Sequence, residues 1–294
     1  MSDGLLEGRV AVVTGAGRGI GAAVARQFAR QGAAVVVNDL GVALDGTSAD
    51  AGPAQQLVDQ IVADGGRAIA NTDDVSDHKA AELLVRSAVD EFGKLDVVAN
   101  VAGILRDRMI FNMPEEDWDA VIRVHLRGTF NMCKHAAVYW REQRDEAAHH
   151  RLINFTSVSG LHGAPGQPNY SAAKLGIVGL TYSCANALRR YGVTTNAISP
   201  LAATRMAATI PDERRRQASD SDERSADNVV PAVVAVASES SDWLNGQVIA
   251  AGGYKIGLYN RPQVVSQIVS SGPFDLAQAA TLMEQAFRPL VAPQ

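Results

Sequence analysis

The feature that most constrains the fold is a regular alternation of short β-branched runs with longer helix-like segments. Such alternation is typical of βαβ units on a parallel sheet. The first run is apolar, as expected for a strand buried on both faces of a sheet. We therefore predict an α/β fold, a doubly wound parallel sheet with helices on both faces. The predicted strands are Val10 to Thr14, Ala33 to Asn38, Arg67 to Asn71, Leu95 to Asn100, Leu152 to Thr156, Val193 to Ser199 and Val248 to Ala251.

Helix-like segments separate these strands and continue beyond them. Because strands recur across nearly the whole chain, we predict a single domain over residues 1–294, with a core over 9–253 and a carboxyl-terminal extension over 254–294. The predicted helices are Ile20 to Arg30, Gln55 to Ala63, Ser76 to Phe92, Pro114 to Arg141 (one long or broken helix), Tyr170 to Arg190 and Asp275 to Phe287.

Composition excludes several classes of protein. The chain of 294 residues has a formal net charge of −5, which argues against a nucleic-acid binder. Its two cysteines, Cys133 and Cys184, form no CxxC pair, so we expect neither a disulfide scaffold nor a cysteine zinc site. The six histidines lack HExxH spacing, and we predict no metal site. No apolar run approaches about 18 residues, so we expect no membrane association and a cytoplasmic protein.

A glycine-rich turn follows the first predicted strand and opens the first predicted helix. Its glycines let the backbone approach a pyrophosphate closely, and the helix amino terminus offers free N–H groups. The next strand leads to Asp39, 24 residues after Gly15, close to the offset at which a carboxylate binds the adenosine ribose. The two features together predict a dinucleotide site. The turn consists of Thr14, Gly15, Ala16, Gly17, Arg18, Gly19, Ile20 and Gly21.

A serine, a tyrosine and a lysine later in the chain are spaced for acid–base chemistry. Ser157 follows the fifth strand, and Tyr170 and Lys174 lie one turn apart on one face of the next helix. A free tyrosine has a pKa of about 10, so a nearby ammonium is needed to favour its phenolate. Such a phenol can remove a proton from an alcohol while a serine hydroxyl steadies the substrate oxygen. We predict that all three residues are catalytic.

The glycine spacing G-x-x-x-G-x-G, with Asp74-Val75 after the third strand and Asn100-Val101-Ala102-Gly103 after the fourth, resembles the short-chain dehydrogenase/reductase family. The resemblance covers residues 9–253 and implies a Rossmann-like fold that binds a nicotinamide dinucleotide. Its catalytic serine, tyrosine and lysine match the three residues above, of which the tyrosine and lysine also contact the cofactor. The further contacts that the family implies are Asp74 and Val75 at the adenine, Asn100 and Gly103 in the cleft, and Thr204 at the nicotinamide carboxamide.

His125 occupies a position where the family often has an asparagine that supports a water relay behind the lysine. Histidine can also pass protons. A histidine on a helix can equally be a packed core residue, so both interpretations stay open, and we include His125 among the candidate catalytic residues.

The choice between NAD and NADP depends on charge beside the ribose. A carboxylate at Asp39 hydrogen-bonds a ribose diol but repels a 2′-phosphate, which favours NAD. Arg18 favours NADP, because basic residues in this turn often serve NADP enzymes of the family. No basic residue directly follows Asp39, so we predict NAD, with NADP less favoured.

Four further strings resemble one branch of the family, the dehydrogenase part of the peroxisomal multifunctional β-oxidation enzymes and its bacterial single-domain relatives. They cover residues 35–41, 102–107, 123–128 and 172–176. That branch acts on (3R)-3-hydroxyacyl-CoA esters or hydroxysteroids, so we predict hydride transfer between NAD(H) and a secondary alcohol or ketone of this type. Two alternatives stay open: an NADPH-dependent 3-oxoacyl-carrier-protein reductase, and a nicotinamide-binding sensor without turnover.

Quaternary structure and three unpatterned segments complete the expectations. The helix from Tyr170 carries small residues, and by analogy with the family we predict a homodimer or homotetramer. The segment 40–53 is longer than a usual connection, and 211–227 is either a solvated loop or a lid over the substrate. No role is assigned to the extension after residue 253.

Overall fold

The computed structural model describes residues 4–41, 52–201, 223 and 225–291. It contains two compact units, Met1–Tyr259 and Asn260–Gln294. The predictions for Thr204, for most of 40–53 and for most of 211–227 lie outside the described residues.

The described residues of the first unit form one eight-stranded sheet with the order β3-β2-β1-β4-β5-β6-β7-β8. The pairings from β1 to β7 are parallel, and β8 runs antiparallel to β7. Because β1 pairs with both β2 and β4, a crevice opens where their carboxyl ends diverge. The predicted doubly wound sheet is confirmed. The strands are β1 (Val10–Thr14), β2 (Ala34–Asn38), β3 (Arg67–Asn71), β4 (Val97–Asn100), β5 (His150–Phe155), β6 (Val193–Pro200), β7 (Val248–Gly252) and β8 (Lys255–Leu258).

Sequence analysis missed the antiparallel edge strand β8. Its four residues are all exposed, so it lacks the apolar signal that marks a buried strand. A two-residue turn joins β7 to β8, and both turn residues, Gly253 and Tyr254, have φ +58°. Positive φ at both central positions is typical of tight hairpins. The Gly-Gly pair at 252–253 is the signal that could have indicated this turn.

The helices agree with the predicted segments to within a few residues, and the short helices α6 and α8 are additional. The long predicted helix is broken: a π-helical turn, Arg123–Arg127, separates α4 from α5. The helices are α1 (Gly19–Arg30), α2 (Gly52–Ala63), α3 (His78–Phe92), α4 (Glu115–Ile122), α5 (Gly128–Gln143), α6 (Val158–His162), α7 (Pro168–Leu188), α8 (Val230–Ala237) and α9 (Leu276–Phe287).

The hydrophobic core lies on both faces of the sheet. On one face, Val13 of β1 packs in a cluster with Phe28 of α1, together with residues of α2 and α8. On the other face, Val12 packs in a cluster with Leu84 of α3 and Trp140 of α5. Successive strand residues therefore point into different layers, and burial on both faces explains why the strands read as continuous apolar runs.

The second unit contains the predicted helix α9. Asp275 caps it, because its Oδ1 accepts hydrogen bonds from the backbone N–H groups of Ala277 and Gln278 at 3.0 and 3.1 Å. None of the residues of α9 is buried. Among the described residues of both units, no helix has the length and apolar character needed to cross a bilayer.

Candidate active site

The glycine turn joins β1 to α1 at the edge of the crevice. Gly15 and Gly19 have φ of +61° and +57°, which glycine adopts without strain. A Cβ at Gly21 would lie 2.2 Å from the carbonyl oxygen of Gly15, so only glycine lets the helix pack this closely on the turn. A Cβ at Gly19 would meet none of the described residues within 4 Å. The turn is thus closely packed at Gly21, whereas the described residues leave free space beside Gly19.

The amino terminus of α1 has no side-chain cap. Arg18 stands at the N-cap position without a capping hydrogen bond, and the first turn contains no acidic residue. Its N–H groups and the positive end of the helix dipole are consequently available to an anion. A cleft of about 330 Å³ opens beside this terminus, between Arg18 at the N-cap and Pro53 on α2.

Asp39, directly after β2, lies against the same turn. Its Oδ2 accepts a hydrogen bond from the N–H of Gly17 at 2.8 Å, and its Oδ1 accepts one from the N–H of Gly41 at 2.7 Å. These two bonds fix the carboxylate at the rim of the crevice. Each oxygen keeps a lone pair for a further donor, which suits a ribose diol.

The residues after β3 and β4 line the neighbouring part of the crevice. Asp74 accepts hydrogen bonds from the N–H and hydroxyl of Ser76 at 2.8 and 2.6 Å, and Val75 is buried. Asn100 donates to Asn154 at 2.9 Å, while its own Oδ1 is buried without a hydrogen-bond partner among the described residues. An unpaired buried acceptor is costly, so this oxygen is a candidate to receive a donor from a bound molecule.

Ser157, Tyr170 and Lys174 come together, as their spacing predicts. Ser157 caps α6, because its Oγ accepts a hydrogen bond from the N–H of Ser159 at 3.2 Å, and its hydroxyl is close enough to Tyr170 to act on the pKa of the phenol. Lys174 Nζ donates to the carbonyl oxygen of Phe155 at 2.7 Å and lies 5.5 Å from the centre of the Tyr170 ring. A side chain at Gly160 would collide with Lys174, since an added Cβ would lie 2.7 Å from the lysine Cβ.

Burial controls the ionisation of the tyrosine and the lysine. Burial raises the pKa of Tyr170 to about 12, the hydrogen bond from Ser157 acts in the opposite direction, and the charge of Asp107 raises the pKa further. Burial lowers the pKa of Lys174 to about 7. Without a further positive charge the phenol is therefore neutral at physiological pH. Lys174 can supply that charge only in part, because it is only partly protonated at a pH near its pKa.

His125 lies in the π-helical turn and is buried against the tyrosine. Its ring stands edge-on to the Tyr170 ring, with 5.1 Å between centres. Nε2 lies 2.8 Å from the carbonyl oxygen of Ile104. Burial, with the charge of Lys174, lowers the pKa of His125 to about 3, although the hydrogen bond to Ile104 raises it. The imidazole is neutral at physiological pH, which fits positioning better than proton uptake from water.

Gly103 lies beside this histidine. A Cβ at Gly103 would be 2.1 Å from Cε1 of His125, so glycine there makes room for the ring. The resemblance to the family assigns Gly103 to the cofactor cleft, and the structure adds this packing reason for a glycine. π-Helical turns are rare and are frequent at functional sites, but the sequence carries no clear signal for one.

Sequence analysis missed Asn169, which orders the start of α7. Its Nδ2 donates to the carbonyl oxygens of Arg106 and Asp117 at 2.9 and 3.1 Å, and its Oδ1 accepts from the N–H of Tyr170 at 2.7 Å. Asn169 is buried, and a polar residue next to the candidate tyrosine is the signal that could have found it. It ties the loop after β4 to the tyrosine's backbone.

The sheet order, the glycine turn and the grouped serine, tyrosine and lysine define an oxidoreductase built to bind a dinucleotide. The family model described as short chain dehydrogenase matches residues 9–215. The chain belongs to the short-chain dehydrogenase family, as the sequence predicts, and is an oxidoreductase acting on CH–OH groups. Members of this family bind an NAD(P) cofactor.

Relatives narrow the branch of the family. Hydroxyacyl-CoA dehydrogenase ChsB1 of Mycobacterium tuberculosis is 45% identical over 279 residues, which cover 91% of this chain and 84% of that protein. Peroxisomal multifunctional enzyme type 2 of Mus musculus is 45% identical over 204 residues, 69% of this chain but only 27% of that longer protein. The crystal structure of a short chain dehydrogenase from Mycobacterium avium matches with a TM-score of 0.87 at 45% identity, over 99% of this chain and 98% of that one. The predicted resemblance to the multifunctional enzymes is confirmed.

The buried lysine predicts a pH-dependent stability difference. The pKa of Lys174 is about 7 in the fold against 10.5 when unfolded, so its burial destabilises the protein fully below pH 7 and progressively less toward pH 10.5. Relative to Lys174→Met, the wild type should therefore gain about 2 kcal/mol of unfolding free energy between pH 7 and pH 9. Urea unfolding at both pH values measures this difference. The exposed control Lys255→Met should show no such gain, and an equal result for the two variants would contradict the prediction.

Proposed function

We propose that the protein transfers hydride between NAD(H) and a secondary alcohol or ketone, with a 3-hydroxyacyl-CoA ester favoured over a hydroxysteroid. The observation that carries the reaction type is the grouping of Ser157 and Lys174 around the phenol of Tyr170, with Lys174 Nζ 5.5 Å from the centre of the tyrosine ring. The substrate class is supported by the hydroxyacyl-CoA dehydrogenase that shares 45% identity over 91% of the chain.

The residues of the crevice fit a nicotinamide dinucleotide. The uncapped terminus of α1 with Gly19 and Ile20 would hold the pyrophosphate, and Asp39 would hold the adenosine ribose. Asp74 and Val75 would contact the adenine, as the family resemblance implies. The oxidised nicotinamide supplies a hydride acceptor and a positive charge when it is bound. We extend the proposal to Thr204 at the carboxamide, a residue outside the described ranges.

The protein's own groups handle the proton. Ser157 hydrogen-bonds the substrate oxygen, and Tyr170 takes the alcohol proton during oxidation or returns it during reduction. Because the pKa of the buried phenol is about 12, this step requires stabilisation of the phenolate, to which protonated Lys174 contributes. Neutral His125 packs against the tyrosine ring and holds its orientation.

Tyr170→Phe tests the proton step. The variant keeps the ring and removes the hydroxyl, so we expect kcat for (3R)-3-hydroxyacyl-CoA oxidation to fall by about a thousandfold while NADH still binds, as fluorescence titration would show. Tyr139→Phe, on α5, is a control with the same chemical change, and we expect it to retain activity. Undiminished turnover in Tyr170→Phe would reject the assignment, and NAD(H) binding by the wild type without turnover of any alcohol would favour a sensor.

Asp39 should set the cofactor preference. The carboxylate would repel a 2′-phosphate, so we expect kcat/KM to favour NAD over NADP in the wild type. Asp39→Asn keeps the size of the side chain and removes its charge, although only one of its two terminal atoms can still accept a hydrogen bond from Gly17 or Gly41. We expect it to narrow the ratio of kcat/KM for NAD to that for NADP by about tenfold. Asp64→Asn, an exposed change, serves as control. A wild type that prefers NADP would overturn the cofactor proposal and favour a carrier-protein reductase.

We also propose a homodimer or homotetramer. Support comes from α7, where Gly179 leaves open space for a close neighbour and Leu175 is 53% exposed, and from Phe130 of α5, which is 46% exposed. Exposed apolar side chains beside small residues suit packing against a second copy. Light scattering coupled to size-exclusion chromatography should give two or four times the mass of 31.1 kDa, and a monomer would contradict the proposal.

A further inference from the structure

Three consecutive residues of the loop after β4, 106–108, are hydrogen-bonded to residues at the start of α7 and just before it. Asn169 donates to the carbonyl oxygen of Arg106 at 2.9 Å, and Gln167 donates to Oδ2 of Asp107 at 2.9 Å. The N–H of Arg108 donates to the carbonyl oxygen of Gly166 at 2.8 Å. Because these bonds reach the residues just before Tyr170, they hold the 106–108 segment beside the candidate tyrosine.

The carboxylate of Asp107 is only half satisfied in this position. Its Oδ2 is bonded to Gln167, but its Oδ1 is buried and has no hydrogen-bond partner among the described residues. Burial raises the pKa of Asp107, although the bond from Gln167 and the charge of Arg108 oppose this. The carboxylate is also close enough to Tyr170 for its charge to raise the pKa of the phenol.

Other charged groups around the tyrosine do not offset this carboxylate fully. Arg106 and Arg108 both extend to Asp117 on α4, with nitrogen–oxygen distances of 3.1 and 3.8 Å. His125 is neutral at physiological pH, and Lys174 is directed to the carbonyl oxygen of Phe155. Among the described residues, Asp107 therefore adds a negative charge near Tyr170 that its neighbours offset only in part.

We propose that Asp107 is a specificity-determining residue that selects an uncharged ester over a free carboxylate next to the reacting alcohol. This inference rests on the proposed function, because it takes a 3-hydroxyacyl group as the substrate. In a 3-hydroxyacyl group the carbonyl carbon stands two bonds from the alcohol carbon that Ser157 and Tyr170 would hold. A thioester there is neutral, whereas the hydrolysed acid carries a charge that Asp107 repels.

The experiment compares substrates that differ chiefly in charge. Initial rates of NADH formation are measured with (3R)-3-hydroxybutyryl-CoA, methyl (R)-3-hydroxybutyrate and (R)-3-hydroxybutyrate. We expect wild-type kcat/KM for the methyl ester to exceed that for the acid by about a hundredfold or more. In Asp107→Asn the ratio should fall by about tenfold, through a higher kcat/KM for the acid. The exposed control on α4, Asp119→Asn, should keep the wild-type ratio.

A pH profile separates this role from a purely structural one. Removing the charge of Asp107 favours ionisation of Tyr170, so the acid limb of methyl-ester oxidation should move to lower pH in Asp107→Asn. A change that only loosened the 106–108 segment would lower the rate without this shift. Asp107→Ser also removes the charge, with a smaller side chain, and should give the same two effects. It replaces Asp107→Asn in the experiment should that variant fold poorly.

The outcomes separate this inference from the proposed function. An unchanged ester-to-acid ratio in both Asp107 variants, with the wild type active on the esters, would overturn the role of Asp107 and leave the proposed function standing. A wild type that oxidises hydroxysteroids but neither ester would overturn the proposed substrate class, and this inference with it.

Discussion

The parallel pairing of β1 with both β2 and β4 is the constraint on which the rest of the structure depends. Parallel strands all end at the same edge of a sheet, and reversal of the strand order at β1 prevents the connecting helices from covering that edge. The glycine turn, Asp39, Asn100 and Ser157 each lie at the carboxyl end of a strand or within two residues of it, so groups far apart in sequence share one crevice.

Burial away from water shifts the pKa values of Tyr170, Lys174 and His125. Burial places the pKa of Tyr170 at about 12, that of Lys174 at about 7 and that of His125 at about 3. All three values are displaced toward the uncharged form, so at physiological pH Tyr170 and His125 are neutral and Lys174 is only partly protonated. A positive charge that enters such a low-dielectric site acts strongly on the phenol, more than it would at the surface.

Much of the fold and part of the site could be predicted because they follow from local patterns. Apolar runs marked the parallel strands, and glycine spacing marked the turn. The exposed strand β8 has no apolar pattern, so it escaped notice. The contact between His125 and Gly103, the bonds of Asn169 and the half-satisfied Asp107 depend on how separate segments meet. Contacts of this kind cannot be predicted from the spacing of residues along the chain.

The π-helical turn between α4 and α5 has a consequence for how this region can change over evolution. A wider turn rotates the helix before it relative to the helix after it. As a result, α4 contacts α7 and holds Arg106 through an ion pair with Asp117. Helix α5 packs with α3 in the core on the face of the sheet that Val12 lines. Loss of one residue from 123–127 would put both helices back in a single register, and one of the two surfaces would then face the wrong partner. We therefore expect an insertion or deletion at this junction to disturb the packing more than a substitution on the exposed face of either helix.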